Sequence, residues 1–160
     1  MRKIDELLTE YGQSHQNKDN KLIHWICVPL IFFSIVGLFW SIPNTSLTNL
    51  FGLEHAPFIN WATLILLLVL IYYLRLSFTL FMGMLPVVII FVLLAYALDA
   101  LSSPPLWLIS LAIFFLAWIG QFYGHKIEGK KPSFLKDIQF LLIGPAWLMH
   151  FIFKKLNIPY

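Results

Sequence analysis

Four uncharged apolar runs constrain this chain more than any other feature: residues 25–42, 56–74, 76–98 and 100–124. Each has roughly the 20 residues that a helix needs to cross the hydrocarbon layer. In lipid, backbone groups must be satisfied within the segment, so these runs are expected to be helices rather than strands. The first ends at Pro43-Asn44, and the second and third are separated only by Arg75. The fourth is expected to start its helix after Ser102-Ser103-Pro104-Pro105, because proline is tolerated in a first turn. Pro86 is expected to kink the third. The composition agrees: 12% of the residues are charged, about half the share of a soluble domain. The length of 160 residues suits a single domain, 1–160.

A fifth apolar stretch, 138–153, is shorter, contains His150 and is interrupted by Gly144-Pro145. Short, broken apolar segments tend to be re-entrant or interfacial. The expected architecture is therefore an all-α integral membrane bundle of about four transmembrane helices, closed by a re-entrant or half-inserted C-terminal helix. At the other end, Ile4, Leu7, Leu8 and Tyr11 recur at helical spacing, with Asp5, Glu6 and Glu10 mostly opposite. That pattern predicts an amphipathic helix lying on the membrane or capping the bundle. It is not a signal peptide, since acids rather than an apolar run follow Arg2 and Lys3.

Loop charge gives orientation. Arg2, Lys3, Lys18 and Lys21 precede the first run, and the loop at 43–55 has no Lys or Arg. Arg75 marks the second connection, the third has no basic residue, and Lys126, Lys130, Lys131 and Lys136 follow the fourth run. By the positive-inside rule both termini are cytoplasmic. Lys154 and Lys155 fit that scheme only if the fifth stretch does not cross. The basic residues form no stripe interleaved with exposed aromatics, so no nucleic-acid partner is expected. Cys27 is the only cysteine, which excludes an intrachain disulfide and a thiolate metal site.

Topology sorts the five histidines. His15, His24 and His125 fall at or near the cytoplasmic ends of runs, and His150 joins them if the last stretch is re-entrant. His55 lies in the charge-poor loop across the bilayer and is expected to be an ordinary loop residue. His15 and His24 are nine apart, on opposite faces of one continuous helix. The intervening Gln16-Asn17-Lys18-Asp19-Asn20 is rich in capping and turn residues, so a reversal there can bring both imidazoles to one point. His125 and Glu128 share a helix face at i, i+3, a spacing found in carboxylate-bound iron sites of helix bundles. Neutral imidazole ligates iron, zinc and copper. Several imidazoles from separate segments, with no cysteine, suit non-haem Fe(II) better than structural zinc. No nucleophile elbow, P-loop or dinucleotide fingerprint is present.

Two stretches carry a resemblance: Tyr11-x3-His15-x-Asn17-x2-Asn20-Lys21-x2-His24-x4-Pro29 and Trp118-x2-Gln121-Phe122-x-Gly124-His125-x2-Glu128-x3-Pro132. Together with Leu142-Ile143-Gly144-Pro145, they resemble the signatures of the 2-hydroxy fatty acid dioxygenase family of fungal and bacterial membrane proteins. The resemblance implies an Fe(2+)-dependent enzyme that shortens 2-hydroxy fatty acids by one carbon with O2. It implies His15, His24 and His125 as metal ligands, with His150 as a fourth candidate although it falls about one residue from the family's pattern. Glu128 would be a ligand, a partner orienting His125 or a base, and Gln121 and Asn20 would support the site. Lys21, Lys126, Lys130 or Lys131 would hold the substrate carboxylate or contact anionic lipid. The acyl tail would lie between helices near Phe32, Phe33, Phe114 and Phe115. The implied partners are a 2-hydroxy fatty acid, O2 and membrane lipid, in a bacterial inner membrane or a eukaryotic endoplasmic reticulum.

Rival readings are a metal-binding membrane protein without turnover, a zinc-dependent lipid hydrolase, and a small transporter. The transporter is disfavoured because Arg75, Asp99 and His125 all sit at span ends rather than at mid-membrane. The oligomeric state is left open by the sequence.

Overall fold

A computed structural model describes residues 2–52, 56–101, 103–129 and 140–159. His55, Lys130, Lys131, Pro132, Lys136 and the first two residues of the fifth apolar stretch lie outside the described residues. Among the described residues there are seven helices and no strand. They are α1 (Lys3–Gly12), α2 (Lys18–Trp40), α3 (Thr45–Phe51), α4 (Trp61–Leu76), α5 (Phe78–Asp99), α6 (Leu106–Glu128) and α7 (Ile143–Lys155).

Among the described residues three helices are long and apolar enough to cross a membrane: α2, α5 and α6. Each has 22 or 23 residues, about 33–35 Å of helix. The expectation of four is met only to that extent, because α4 has 16 residues, about 24 Å against a hydrocarbon layer of about 30 Å. The boundary that shortens α4 is legible in its caps. Asn60 accepts the Thr63 N–H at one end, and Ser77 breaks the helix in an extended conformation at the other while starting α5. The outer faces carry exposed Leu67, Leu68, Ile89, Ile90, Phe115, Leu116 and Ile119. An apolar surface of that extent belongs in lipid.

α2 is the centre of the bundle, and its closest partner is the antiparallel α6. Small residues allow the approach, as expected where helices associate by close packing in a membrane. A Cβ on Gly37 would run into Ser110 Oγ, one on Gly120 would lie 2.6 Å from Cys27 Sγ, and one on Gly124 would run into Asn20 Oδ1. The last two contacts lock the start of α2 beside the end of α6. At the opposite end, Trp40 Nε1 donates to Asp99 at 3.3 Å.

The amphipathic α1 caps the bundle rather than standing alone: Ile4, Leu8 and Tyr11 are buried, and the helix packs on α7. α7 has 13 residues, about 20 Å, and nearly all of its first two turns is buried. Tyr73 Oη donates to the Leu142 carbonyl at 2.7 Å, and Thr79 Oγ1 donates to the Pro159 carbonyl at 3.3 Å. Both ends of the C-terminal segment therefore sit beside the α4–α5 turn. α3 falls inside the loop expected at 43–55, closed by Gly52 in a left-handed conformation.

Candidate metal centre

The site forms where the end of α1, the start of α2 and the end of α6 meet. After α1 the chain turns through residues 13–17, and the Asn17 side chain caps α2 by accepting from the Asp19 and Asn20 N–H groups. That reversal carries His15 back over His24. The ring centroids of His15 and His24 are 4.2 Å apart, those of His15 and His125 5.4 Å, and those of His24 and His125 5.1 Å. One ligand atom from each of the three lies within 4.8 Å of the others. All three side chains are buried, at 3%, 0% and 5% exposure.

Hydrogen bonding orients two of the rings. His15 Nδ1 lies 2.6 Å from the Tyr11 carbonyl, and His24 Nδ1 lies 2.8 Å from the Asn20 carbonyl. A carbonyl only accepts, so each Nδ1 carries the proton and donates it. Nε2 is left as the ligand atom of each ring, the arrangement by which metal-bound histidines are commonly fixed. His24 Nε2 is buried with no hydrogen-bond partner. An orphaned polar atom of that kind costs about 1–3 kcal/mol, a cost that coordination to a cation removes. The donor set therefore fits a first-row divalent ion, with three nitrogens and no cysteine or carboxylate among them.

Glu128 stands outside this trio. Its Oε1 accepts from the Gln16 N–H at 2.8 Å, and its Oε2 accepts from the Asn17 N–H and from Asn20 Nδ2, both at 2.9 Å. The carboxylate ties the α1–α2 turn to the end of α6 and so holds His15 against His125. Asn20 extends the network. Fully buried, it donates to Glu128 and to the Ser14 carbonyl, and its own carbonyl orients His24.

His150 is not among the converging ligand atoms. It is half-buried on α7, edge-on to Phe151, with ring centroids 5.5 Å apart. Burial and the nearby Lys154 hold its imidazole below the usual range, against the opposing influence of Asp5.

A cleft of about 30 Å³ opens beside His125, lined by Tyr11, Trp118 and Gln121 together with Val28, Ile31 and Leu141. Of the sequence candidates, Gln121 lines it, whereas Asn20 and Glu128 do not. Neither Lys21 nor Lys126 is part of its wall, and Lys126 is exposed. Spacing did not single out Tyr11 and Trp118 as site residues. Tyr11 stacks flat on His15, with ring centroids 4.2 Å apart and 11° between planes, and Trp147 leans on both. Both residues open the stretches that carry the family resemblance, but an aromatic side chain in an apolar chain looks like packing by itself. The signal that existed was Tyr11 four residues before His15, one helical turn.

An apolar helical bundle with three buried imidazoles converging at one end, two of them oriented by hydrogen bonds, defines a candidate metalloprotein of the membrane. The particular family follows from comparison with known proteins. Residues 1–156 match the family described as 2-hydroxy-palmitic acid dioxygenase Mpo1-like, and the chain belongs to that family. No curated protein and no solved structure gives a significant match to the chain.

Proposed function

We propose that this protein is an Fe(II)-dependent dioxygenase that cleaves the C1–C2 bond of a 2-hydroxy fatty acid. The observation that carries the reading is the convergence of three buried imidazoles, His15, His24 and His125, the last of them lining a cleft, in a member of this family. The stoichiometry balances as R–CHOH–COOH + O2 → R–COOH + CO2 + H2O. The substrate gives up four electrons and one O2 accepts them, so no separate reductase is needed.

His15, His24 and His125 would hold the ion, which when bound supplies Lewis-acid polarisation of the substrate hydroxyl and a site for O2 chemistry. Besides His125, the residues with polar side-chain groups in the cleft wall are Tyr11, Trp118 and Gln121, which would receive the carboxylate end by hydrogen bonds. This assignment replaces Lys21 and Lys126 as carboxylate partners; Lys130 and Lys131 lie outside the described residues. Burial of the three imidazoles excludes bulk water from the reacting end. Glu128 and Asn20 act as positioning residues through the α1–α2 turn. The basic residues Lys18, Lys21 and Lys126 lie at the same end of α2 and α6 as the histidines, which supports a cytoplasmic site. The return of the C-terminal segment to the α4–α5 turn supports a re-entrant or half-inserted α7.

The test is oxygen uptake by protein purified anaerobically and loaded with ferrous ion. We expect uptake with 2-hydroxy-palmitic acid, one CO2 and a fifteen-carbon acid per O2, and none with palmitic acid. Equal or absent uptake in the two arms overturns the proposal. Activity with zinc in place of iron, without O2, would instead indicate a hydrolase.

A further inference from the structure

Beyond the reacting end, two larger apolar spaces run into the bundle. One, of about 340 Å³, lies between α2 and α4 and is walled by Phe32, Ile35, Val36 and Phe39 on one side and by Ala62, Ile65, Leu66 and Val69 on the other. Leu141 and Leu142 close its near end. The other, of about 130 Å³, lies among α2, α5 and α7, with Met84, Val87 and Phe91 in its wall. Only the first shares a wall residue, Leu141, with the cleft beside His125.

We infer that the α2–α4 groove is the acyl-chain site of the substrate and that Phe39 and Ala62 at its far end set the chain length accepted. The inference rests on the dioxygenase reading for the nature of the ligand. Its geometry is independent of that reading. From Val28 in the cleft to Phe39 at the end of the groove, α2 advances 11 residues, about 16 Å. An extended chain covers about 1.2 Å per backbone bond, so the path takes up about thirteen bonds, a long-chain acid rather than a short one. The lining is apolar throughout, as the tail requires, and the polar groups of Tyr11, Trp118, Gln121 and His125 stand at the other end of the path. Of the four phenylalanines expected near the tail, Phe32 lines the groove. Phe33 is buried against Phe91, and Phe115 faces outward at 62% exposure.

The experiment compares 2-hydroxy-palmitic with 2-hydroxy-octanoic acid in two readouts: equilibrium binding of each radiolabelled acid under anaerobic conditions, and oxygen uptake. Ala62→Phe fills the far end. It should lower the long-to-short ratio about tenfold or more, the scale set by a methylene or two in an apolar pocket, with iron content unchanged. Phe39→Ala lengthens the groove and should shift preference toward chains longer than sixteen carbons, which covers the case of Ala62→Phe failing to fold. Val87→Phe, in the space among α2, α5 and α7, should leave the ratio where it was.

An unmoved ratio in both groove variants means that the groove holds bilayer lipid only, and overturns the inference. A ratio moved by Val87→Phe instead overturns it as well. Shifted binding without any oxygen uptake leaves the groove assignment standing and removes the reaction.

Discussion

Three N–H groups hold the carboxylate of Glu128, and that accounting decides what substitution there should do. In Glu128→Gln the amide offers one oxygen and turns an NH2 toward donors that cannot accept from it. At least one bond to Gln16, Asn17 or Asn20 is then lost, and the α1–α2 turn loosens beneath His15. Ferrous-ion affinity should fall about 10–100-fold, the usual effect of removing a group that orients metal ligands. Anaerobic titration of the metal-free protein measures it, and an unchanged affinity would show that the clamp has no part in the site. By the same geometry His15→Ala, His24→Ala and His125→Ala should each abolish iron retention through a desalting column, whereas His150→Ala should retain it. Loss of iron from His150→Ala would return His150 to the ligand set. The histidine trio was legible in the chain because imidazoles at the ends of apolar runs are expensive enough to stand out. The role of Glu128 was not, since an i, i+3 spacing to His125 fits a ligand and a clamp equally. Only the turn at residues 13–17, which brings backbone N–H groups onto the carboxylate, distinguishes them.

Between elements, the decisive feature is the α2–α6 seam, because it fixes His24 relative to His125. Gly37 and Ser110 meet there with no room for another carbon. Gly37→Ala should destabilise the protein by about 1–3 kcal/mol, the cost of overpacking a close contact. Ser110 Oγ is buried without a hydrogen-bond partner, so removing it sacrifices no bond. Ser110→Gly should therefore rescue Gly37→Ala, with a coupling energy of about 0.5–3 kcal/mol. Thermal unfolding of the two single variants and the double variant in detergent measures the cycle, and strict additivity would refute the contact. Gly37, Gly120 and Gly124 are plain in the sequence, but which helix each approaches is not. An apolar run gives the existence of a helix and leaves its azimuth open when both faces are hydrophobic. The same blindness hid α3, a seven-residue helix whose only signals are Asn44 before it and Gly52 after it, and it hid the shortening of α4 by Asn60 and Ser77.

At the scale of the whole molecule, orientation rests on charge and the fold adds an independent constraint. The start of α2, the end of α6, the α4–α5 turn and the C-terminal segment all lie at one end. That end carries Lys18, Lys21, Arg75 and Lys126, and the opposite connections described carry no Lys or Arg. We expect a bundle with this asymmetry to insert with its basic end in the cytoplasm, where a cytosolic metal supply would reach the histidines. The native thiol does not interfere with a labelling test, because Cys27 is buried. Leu50 at the charge-poor end is 76% exposed, and Lys126 at the basic end is also exposed. In intact cells a membrane-impermeant maleimide should label Leu50→Cys and leave Lys126→Cys untouched until the membrane is permeabilised. A cysteine at Lys155, beyond most of α7, should behave as Lys126→Cys does, because the C-terminal segment returns to the α4–α5 turn. Labelling of Lys155→Cys from outside would mean that α7 crosses the bilayer. Outside labelling of Lys126→Cys would invert the protein and put the three histidines on the side where no cytosolic iron can reach them.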